Sequence, residues 1–314
     1  MIEIEKIIKL KKQIGKKEDI KNPFHIAFGV DKNFIRPAGV TITSIIKNNP
    51  DIYFHFHLLT TEITDNDLKK IKNIDKEKSL ITIYWFDASI FQSLQEKENL
   101  PISMYYRLII PNLLQKFTDR VLYLDADIIC LSSISNLKEI DFRDNVAGVV
   151  NQKNIDKKNI YSLNLKDKNF YFNSGVLLIN IPQWISRNIL SEFMKTINLR
   201  EYLYPDQDVL NIILEDKIIP LPSAYNRFNE DRNLSGDDTV FLHFTGTPKP
   251  WKSWHEQSDI YIEYYSISPW KDIPFELPTQ YRQMRVYAKK LWRKKKYISS
   301  ARWFILYIFN KLTK

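Results

Sequence analysis

Glycine is scarce in this chain, with seven among 314 residues, and neither G-x-G-x-x-G nor G-x-x-x-x-G-K occurs. That excludes the glycine-rich turns on which dinucleotide-binding and P-loop enzymes seat phosphate. Cysteine is rarer still. Cys130 stands alone, so no intramolecular disulfide forms; the usage fits a reducing compartment, with buried packing as the thiol's role. No apolar run approaches the roughly 18 residues of a membrane span. The opening MIEIEKIIKLKKQIGKKEDI alternates apolar and charged residues where a secretory signal needs an unbroken apolar stretch. A cytoplasmic location is expected.

Acidic residues are missing from Thr279 to Lys314, a stretch that holds eleven Lys and Arg. The rest of the chain carries 35 basic and 37 acidic residues, so the net charge of +9 is a property of the tail. No nucleic-acid partner is expected from the body. Within the tail, cations alternate with Tyr287, Trp292, Tyr297, Trp303, Phe304, Tyr307 and Phe309. Aromatic rings beside Lys and Arg suit the boundary between anionic headgroups and acyl chains. Membrane-surface association is expected, against two plainer readings: a helix packed on the body by its apolar stripe, and an RNA-binding tail.

What is present is ordinary globular protein: 44% apolar and 26% charged residues exclude disorder as the main state. Short apolar runs at 24–30, 53–59, 81–86, 121–124, 146–150 and 175–180 have strand composition. Helical patterns lie between several of them, at 36–48, in TDNDLKKIKNI and in PISMYYRLIIPNLL. This alternation predicts an α/β fold on a mostly parallel sheet. Polar residues 151–170 read as a mobile excursion near the site, and Pro-punctuated 251–278 as a segment joining body to tail. The expected division is an extension at 1–22, a catalytic domain at 23–250, the connector at 251–278 and the tail at 279–314.

VLYLDADIIC ends a strand with two acids one residue apart. Alternate side chains share a face, so Asp125 and Asp127 point the same way where ligands bind open parallel sheets. Adjacent carboxylates repel unless a cation lies between them, and hard oxygens suit manganese or magnesium. D-x-D alone is weak. Asp65 and Asp67 fit it too but open a helix, where capping explains them. Asp206 and Asp208, in YPDQDVLNIIL, meet the same objection. HFTGTPKPW places a histidine, His243, with Gly246 and Lys249 close behind, a set suited to a metal and phosphate. His25, His55, His57 and His255 are read as structural.

These motifs together resemble family 8 retaining glycosyltransferases, in consistent order from about Phe24 to Trp251: IAFGVDKNF, SMYYRLIIPNLL, VLYLDADIIC, YFNSGVLLIN, YPDQDVLN and HFTGTPKPW. With SPWKD and the aromatic-basic end, the likeness is strongest to lipopolysaccharide core hexosyltransferases. It implies a GT-A type, Rossmann-like mixed sheet flanked by helices and a helical basic tail. It further implies a retaining transfer of glucose or galactose from UDP-glucose or UDP-galactose to the lipopolysaccharide core, with manganese (magnesium as the substitute) on Asp125, Asp127 and His243. Gly29, Val30, Asp31 and Asn33 would hold uracil and ribose. Arg107, otherwise a surface arginine, would meet the diphosphate or donor sugar. Ala126, Asn173, Ser174, Asp206 and Gln207 would surround the donor, with Asp208 beside them among the catalytic candidates. Gly246 and Lys249 would close over the phosphates. Ser174 stands where the family often has alanine, and Lys32 where an acid or polar residue is frequent. The alternatives are another cell-surface glycan or a protein as acceptor, or a membrane- or RNA-binding scaffold without catalysis.

Overall fold

The computed structural model describes residues 4–15, 22–75, 77–96, 101–152, 157–229, 238–256 and 258–313. The strands are β1 (Ile8–Ile14), β2 (Phe24–Gly29), β3 (Phe54–Thr60), β4 (Ser79–Phe86), β5 (Arg120–Leu124), β6 (Ile128–Cys130), β7 (Ala147–Val150), β8 (Val176–Asn180), β9 (Ile218–Leu221), β10 (Arg227–Phe228) and β11 (Phe241–His243). The α-helices are α1 (Ile4–Ile7), α2 (Ile35–Asn48), α3 (Asp65–Ile71), α4 (Ile110–Leu114), α5 (Lys157–Leu163) and α6 (Ile181–Ser186). They continue with α7 (Ile189–Thr196), α8 (Pro205–Ile213), α9 (Asp259–Ile267), α10 (Tyr281–Arg293) and α11 (Tyr297–Leu312).

Among the described residues, eight strands form the main sheet in the order β1-β4-β3-β2-β5-β8-β7-β9. Pairs β4/β3, β3/β2, β2/β5 and β7/β9 are parallel, whereas β1/β4, β5/β8 and β8/β7 are antiparallel. The sheet is therefore more mixed than the strand-helix alternation alone suggests. Its central strands are apolar nearly throughout because both faces are covered. All six strands expected from the apolar runs are present.

Three segments differ from the sequence reading. Residues 8–14, within the expected extension, pair antiparallel with β4 and complete one edge of the sheet. The excursion at 151–170 holds α5, which buries Asn159, Ile160 and Leu163; residues 153–156 lie outside the described residues. The connector at 251–278 is part of the core: Trp270 is fully buried, with Tyr261, Tyr264 and Tyr265 beside it. A Cβ on Gly39 of α2 would stand 2.1 Å from the Trp270 ring, so glycine there is what lets the indole reach the helix. Each such buried aromatic contributes on the order of 2 kcal/mol, which a short Pro-punctuated segment offers no periodic sign of.

The two acids at 65 and 67 lie in the first turn of α3, which Thr64 caps. The Thr64 hydroxyl accepts from the Asp67 amide at 3.1 Å, and Asp67 also accepts from the Trp270 indole at 2.8 Å. Cys130 is buried, and that burial pushes its thiol up to about 12. His255 is likewise buried, its ring edge-on to Phe244. The tail forms an antiparallel helix pair. Helix α10 docks through Met284, Ala288 and Leu291, while the Lys290 ammonium donates to the Ser253 carbonyl at 3.0 Å. Helix α11 leans on α10 through Ser300, Trp303 and Tyr307. No helix of the described residues is long and apolar enough to cross a membrane.

Candidate active site at the carboxyl ends of the central strands

Three backbone ladders converge on Asp125 and Asp127. Strand β5 ends at Leu124, opposite Val176 of β8, and the Asp125 amide donates to the Gly175 carbonyl at 2.8 Å. This fixes Asn173, Ser174 and Gly175 against the acid pair. Strand β6 begins directly after Asp127 and pairs antiparallel with β11, placing His243 opposite Ile128. The Phe244 amide then donates to the Asp127 carbonyl at 2.9 Å. The Thr41 hydroxyl of α2 lies 3.0 and 2.7 Å from the carbonyls of Ala126 and Ile128, holding the turn between the acids.

Asp125, Asp127 and His243 each offer a ligand atom, and these atoms lie within 4.8 Å of one another. His243 Nε2 is 3.2 Å from Asp127 Oδ1 and 3.9 Å from Asp125 Oδ2. The far ring nitrogen, Nδ1, is 2.9 Å from Asn226 Oδ1. Asn226 donates to Asn173 Oδ1 at 3.1 Å, Asn173 to Gln207 Oε1 at 2.8 Å, Gln207 to the Tyr171 hydroxyl at 2.9 Å, and Tyr171 to Asp208 Oδ1 at 2.5 Å. Backbone amides of Gly175 and Ser174 fix the carbonyl ends of Asn173 and Gln207. Each member therefore donates in one direction toward a buried carboxylate. With Nδ1 of His243 engaged by Asn226, Nε2 is the ring nitrogen turned toward the aspartates.

Asp127 is nearly fully buried. Burial works against its charged form, but the Lys249 ammonium, the largest opposing influence, holds the carboxyl well below the usual range. Lys249 bonds Asp127 Oδ2 directly and donates to the Phe244 carbonyl at 3.1 Å. Gly246, three residues earlier, takes φ +73°, the left-handed region that glycine tolerates.

Arg107 lies beneath the acid pair, 4% exposed, on the 3-10 helix Ile102–Ile109. Its guanidinium reaches Asp125 Oδ1 at 3.0 Å, Asp206 Oδ2 at 3.3 Å and the carbonyls of Ser174 and Met104 at 2.6 and 2.8 Å. Burial opposes its charge, and Asp125 with Asp206 more than compensate. The surface placement expected without a family likeness is wrong for this side chain. Asp206 feels burial most, which pushes its carboxyl up despite Arg107 and the Ser174 hydroxyl at 2.8 Å.

Asp208 is different. It is fully buried, and its oxygens are taken by Asn159, Tyr171 and the Tyr204 amide that precedes α8. The capping alternative describes it. Gly29 ends β2, the parallel neighbour of β5, and Val30, Asp31 and Asn33 follow it, so they stand at the same sheet edge as Asp125. There Asp31 Oδ1 accepts from the Asn33 amide at 2.7 Å, and Lys32 pairs with Glu62 at 3.2 Å. Asn226 and Tyr171 escaped the sequence reading. Tyr171 directly precedes the FNSG motif, a signal that was available; Asn226, in SAYNRF, carries none.

A glycosyl transferase family 8 model matches residues 25–255, and a glycosyl transferase family 8 C-terminal model matches residues 257–311. The lipopolysaccharide 1,3-galactosyltransferase of Salmonella typhimurium is 33% identical over 308 residues, covering 92% of this chain and 91% of that protein. The lipopolysaccharide glucosyltransferase WaaO of Escherichia coli K12 is 33% identical over 307 residues, 91% of each. Among solved structures, the galactosyltransferase LgtC in complex with donor and acceptor sugar analogues superposes with a TM-score of 0.67 at 22% identity. It covers 82% of this chain and 99% of that one.

Proposed function

The chain belongs to glycosyl transferase family 8 and has the GT-A fold; from that premise we propose that it transfers glucose or galactose from a UDP-sugar to the core oligosaccharide of lipopolysaccharide, with retained configuration. The names of the two bacterial relatives support the acceptor and the pair of sugars. The observation that carries the chemistry is the convergence of Asp125, Asp127 and His243, with the histidine's Nε2 turned toward the two acids.

The three side chains fit a divalent cation: two carboxylates and one imidazole nitrogen suit manganese, with magnesium as the harder substitute. A Cβ on Gly175 would fall 2.5 Å from His243 Cε1 and 2.6 Å from Asp125 Oδ2, so glycine keeps the space between those two groups clear. When bound, the ion supplies positive charge to the donor diphosphate and its leaving group. Lys249 adds a cation beside Asp127, aimed by the Gly246 turn at that same diphosphate. Gly29, Val30, Asp31 and Asn33 take the uridine, and Asn173, Ser174, Asp206 and Gln207 face the hexose. Arg107 is a positioning residue, buried behind Asp125 and Asp206 and holding both in place.

Breaking a glycosyl phosphate leaves positive charge on the sugar and negative charge on the departing diphosphate. Gln207 has no charge with which to attack, and Asp206 Oδ2 already accepts from Arg107 and Ser174. Same-face attack by the acceptor follows, its proton passing to the diphosphate oxygen. Mass spectrometry of trapped enzyme should find no glycosyl adduct on Asp206; finding one replaces this route with a covalent intermediate. The tail anchors the enzyme to the inner face of the cytoplasmic membrane, where a lipid-linked acceptor is presented. The testing experiment is UDP release from UDP-glucose and UDP-galactose, with manganese or chelator, with and without truncated lipopolysaccharide. Release from one donor that needs both manganese and acceptor is expected; release indifferent to the lipopolysaccharide sinks the acceptor assignment.

A further inference from the structure

A second group of potential ligands lies away from the diphosphate site. His25 of β2 and His55 and His57 of β3 project from one face of the sheet, with His25 beside His55 in the parallel register. His25 is four residues before Gly29, so the group sits ~13 Å along the strand from the end that carries the acid pair. One nitrogen from each imidazole falls within 4.8 Å of the others. His25 Nδ1 and His57 Nε2 are 3.0 Å apart, and the His55 and His57 ring centres are 4.0 Å apart.

Three nitrogens on a tetrahedral zinc at 2.0 to 2.1 Å stand about 3.3 Å from one another, so this spacing is already near that of a ligand set. The outer nitrogens have oxygen partners of the kind that orient ligating imidazoles: His57 Nδ1 is 3.2 Å from the Tyr84 hydroxyl, and His55 Nε2 is 2.8 Å from Thr82 Oγ1. We propose that His25, His55 and His57 form a second metal site, selective for a borderline first-row dication such as zinc, that clips β2 to β3. An all-imidazole set favours zinc, nickel or copper over the harder manganese and magnesium suited to the acid pair, so the two sites select different ions. Partial exposure of His25 and His55 opens the group to solvent, and a water completes the tetrahedron. Burial holds His25 down at about 4 and lowers His57 well below the ordinary histidine range. The nearby cation is Lys11 of β1, exposed, with Nζ 5.4 Å from the Tyr84 ring centre; its long stem lets the ammonium swing outward.

The full-length chain, stripped with chelator, is titrated with cobalt(II) and, separately, with zinc. The wild type should bind one more equivalent than His25→Gln and develop the intense visible bands of tetrahedral cobalt, which His25→Gln loses and Asp125→Asn keeps. His55→Gln, at the solvent rim, serves as a second variant should His25→Gln fail to fold. X-ray absorption at the zinc edge, recorded on Asp125→Asn, should show a shell of three imidazole nitrogens. Equal stoichiometry and equal cobalt spectra in the wild type and the folded histidine variants overturn the proposal, as does a zinc shell made of oxygen.

Discussion

Replacing Arg107 with methionine removes a buried cation while keeping most of the side-chain volume. Its guanidinium stands 3.0 Å from Asp125 and 3.3 Å from Asp206, whose side chains are 26% and 7% exposed. At an effective dielectric near 20, unit charges about 4 Å apart interact by about 4 kcal/mol. Two such contacts supply roughly twice that, less a desolvation cost of several kcal/mol for the guanidinium. Leaving the acids without their partner should destabilise the fold by about 3 to 5 kcal/mol at pH 8. The pH dependence has a definite sign. Burial already raises Asp206, and losing Arg107 removes the strongest influence pulling it down. A carboxyl whose folded pKa lies above its unfolded value, about 3.9, binds its proton more tightly when folded. Stability from that proton is present at low pH and lost as pH rises through the folded pKa. The deficit of Arg107→Met relative to wild type should therefore shrink as pH falls from 8 toward 5. Urea unfolding followed by tryptophan fluorescence measures it at both values. A deficit under about 1 kcal/mol at pH 8, or one that grows on acidification, would refute the reasoning.

Gly175→Ala puts a methyl between His243 and Asp125; manganese-dependent quenching by UDP should be lost while the circular dichroism spectrum is retained, and undiminished quenching would show that this space is not used. Tyr171→Phe cuts the donor chain between Gln207 and Asp208. It should raise the manganese concentration needed for half-maximal activity by roughly 10- to 100-fold, an effect that a merely loosened core would not concentrate on the metal dependence. Replacing exposed Trp292, Ile305 and Phe309 with serine spares the docked face of α10. Since burying each side chain is worth about 1.5 to 3 kcal/mol, sedimentation with anionic vesicles should fall at least tenfold, and unchanged sedimentation would remove the membrane role from α11. Gly39→Ala drives a Cβ into Trp270 and should lower the unfolding midpoint without changing the apparent affinity for UDP in the folded fraction, as read by titration.

The strands were legible because burial on both faces writes itself into composition, as in FHIAFG and SLITIYWF. The acid pair was legible for the opposite reason: charge at the end of an apolar run needs a cause, and Asp65 and Asp67, in the first turn of a helix capped by Thr64, showed what a cause without a site looks like. Other features were invisible. Arg107 in SMYYRLII has the appearance of a surface cation, and only the packing of its 3-10 helix puts it between Asp125 and Asp206. The three histidines of β2 and β3 looked structural one at a time, because the register that brings His25 beside His55 is a property of two strands. The aromatic connector looked like a linker because burial of Trp270 depends on a glycine more than two hundred residues earlier.

By itself the amino-acid sequence determined the class of fold, the strand that ends in Asp125 and Asp127, and the ordered motifs that place the chain in its family, because each rests on short-range patterns of polarity. The tertiary structure alone decided which imidazole nitrogen faces those acids. That choice passes through Asn226, Asn173, Gln207, Tyr171 and Asp208, side chains up to 55 positions apart in the chain that hydrogen-bond only after β5, β8, β11 and α8 have packed.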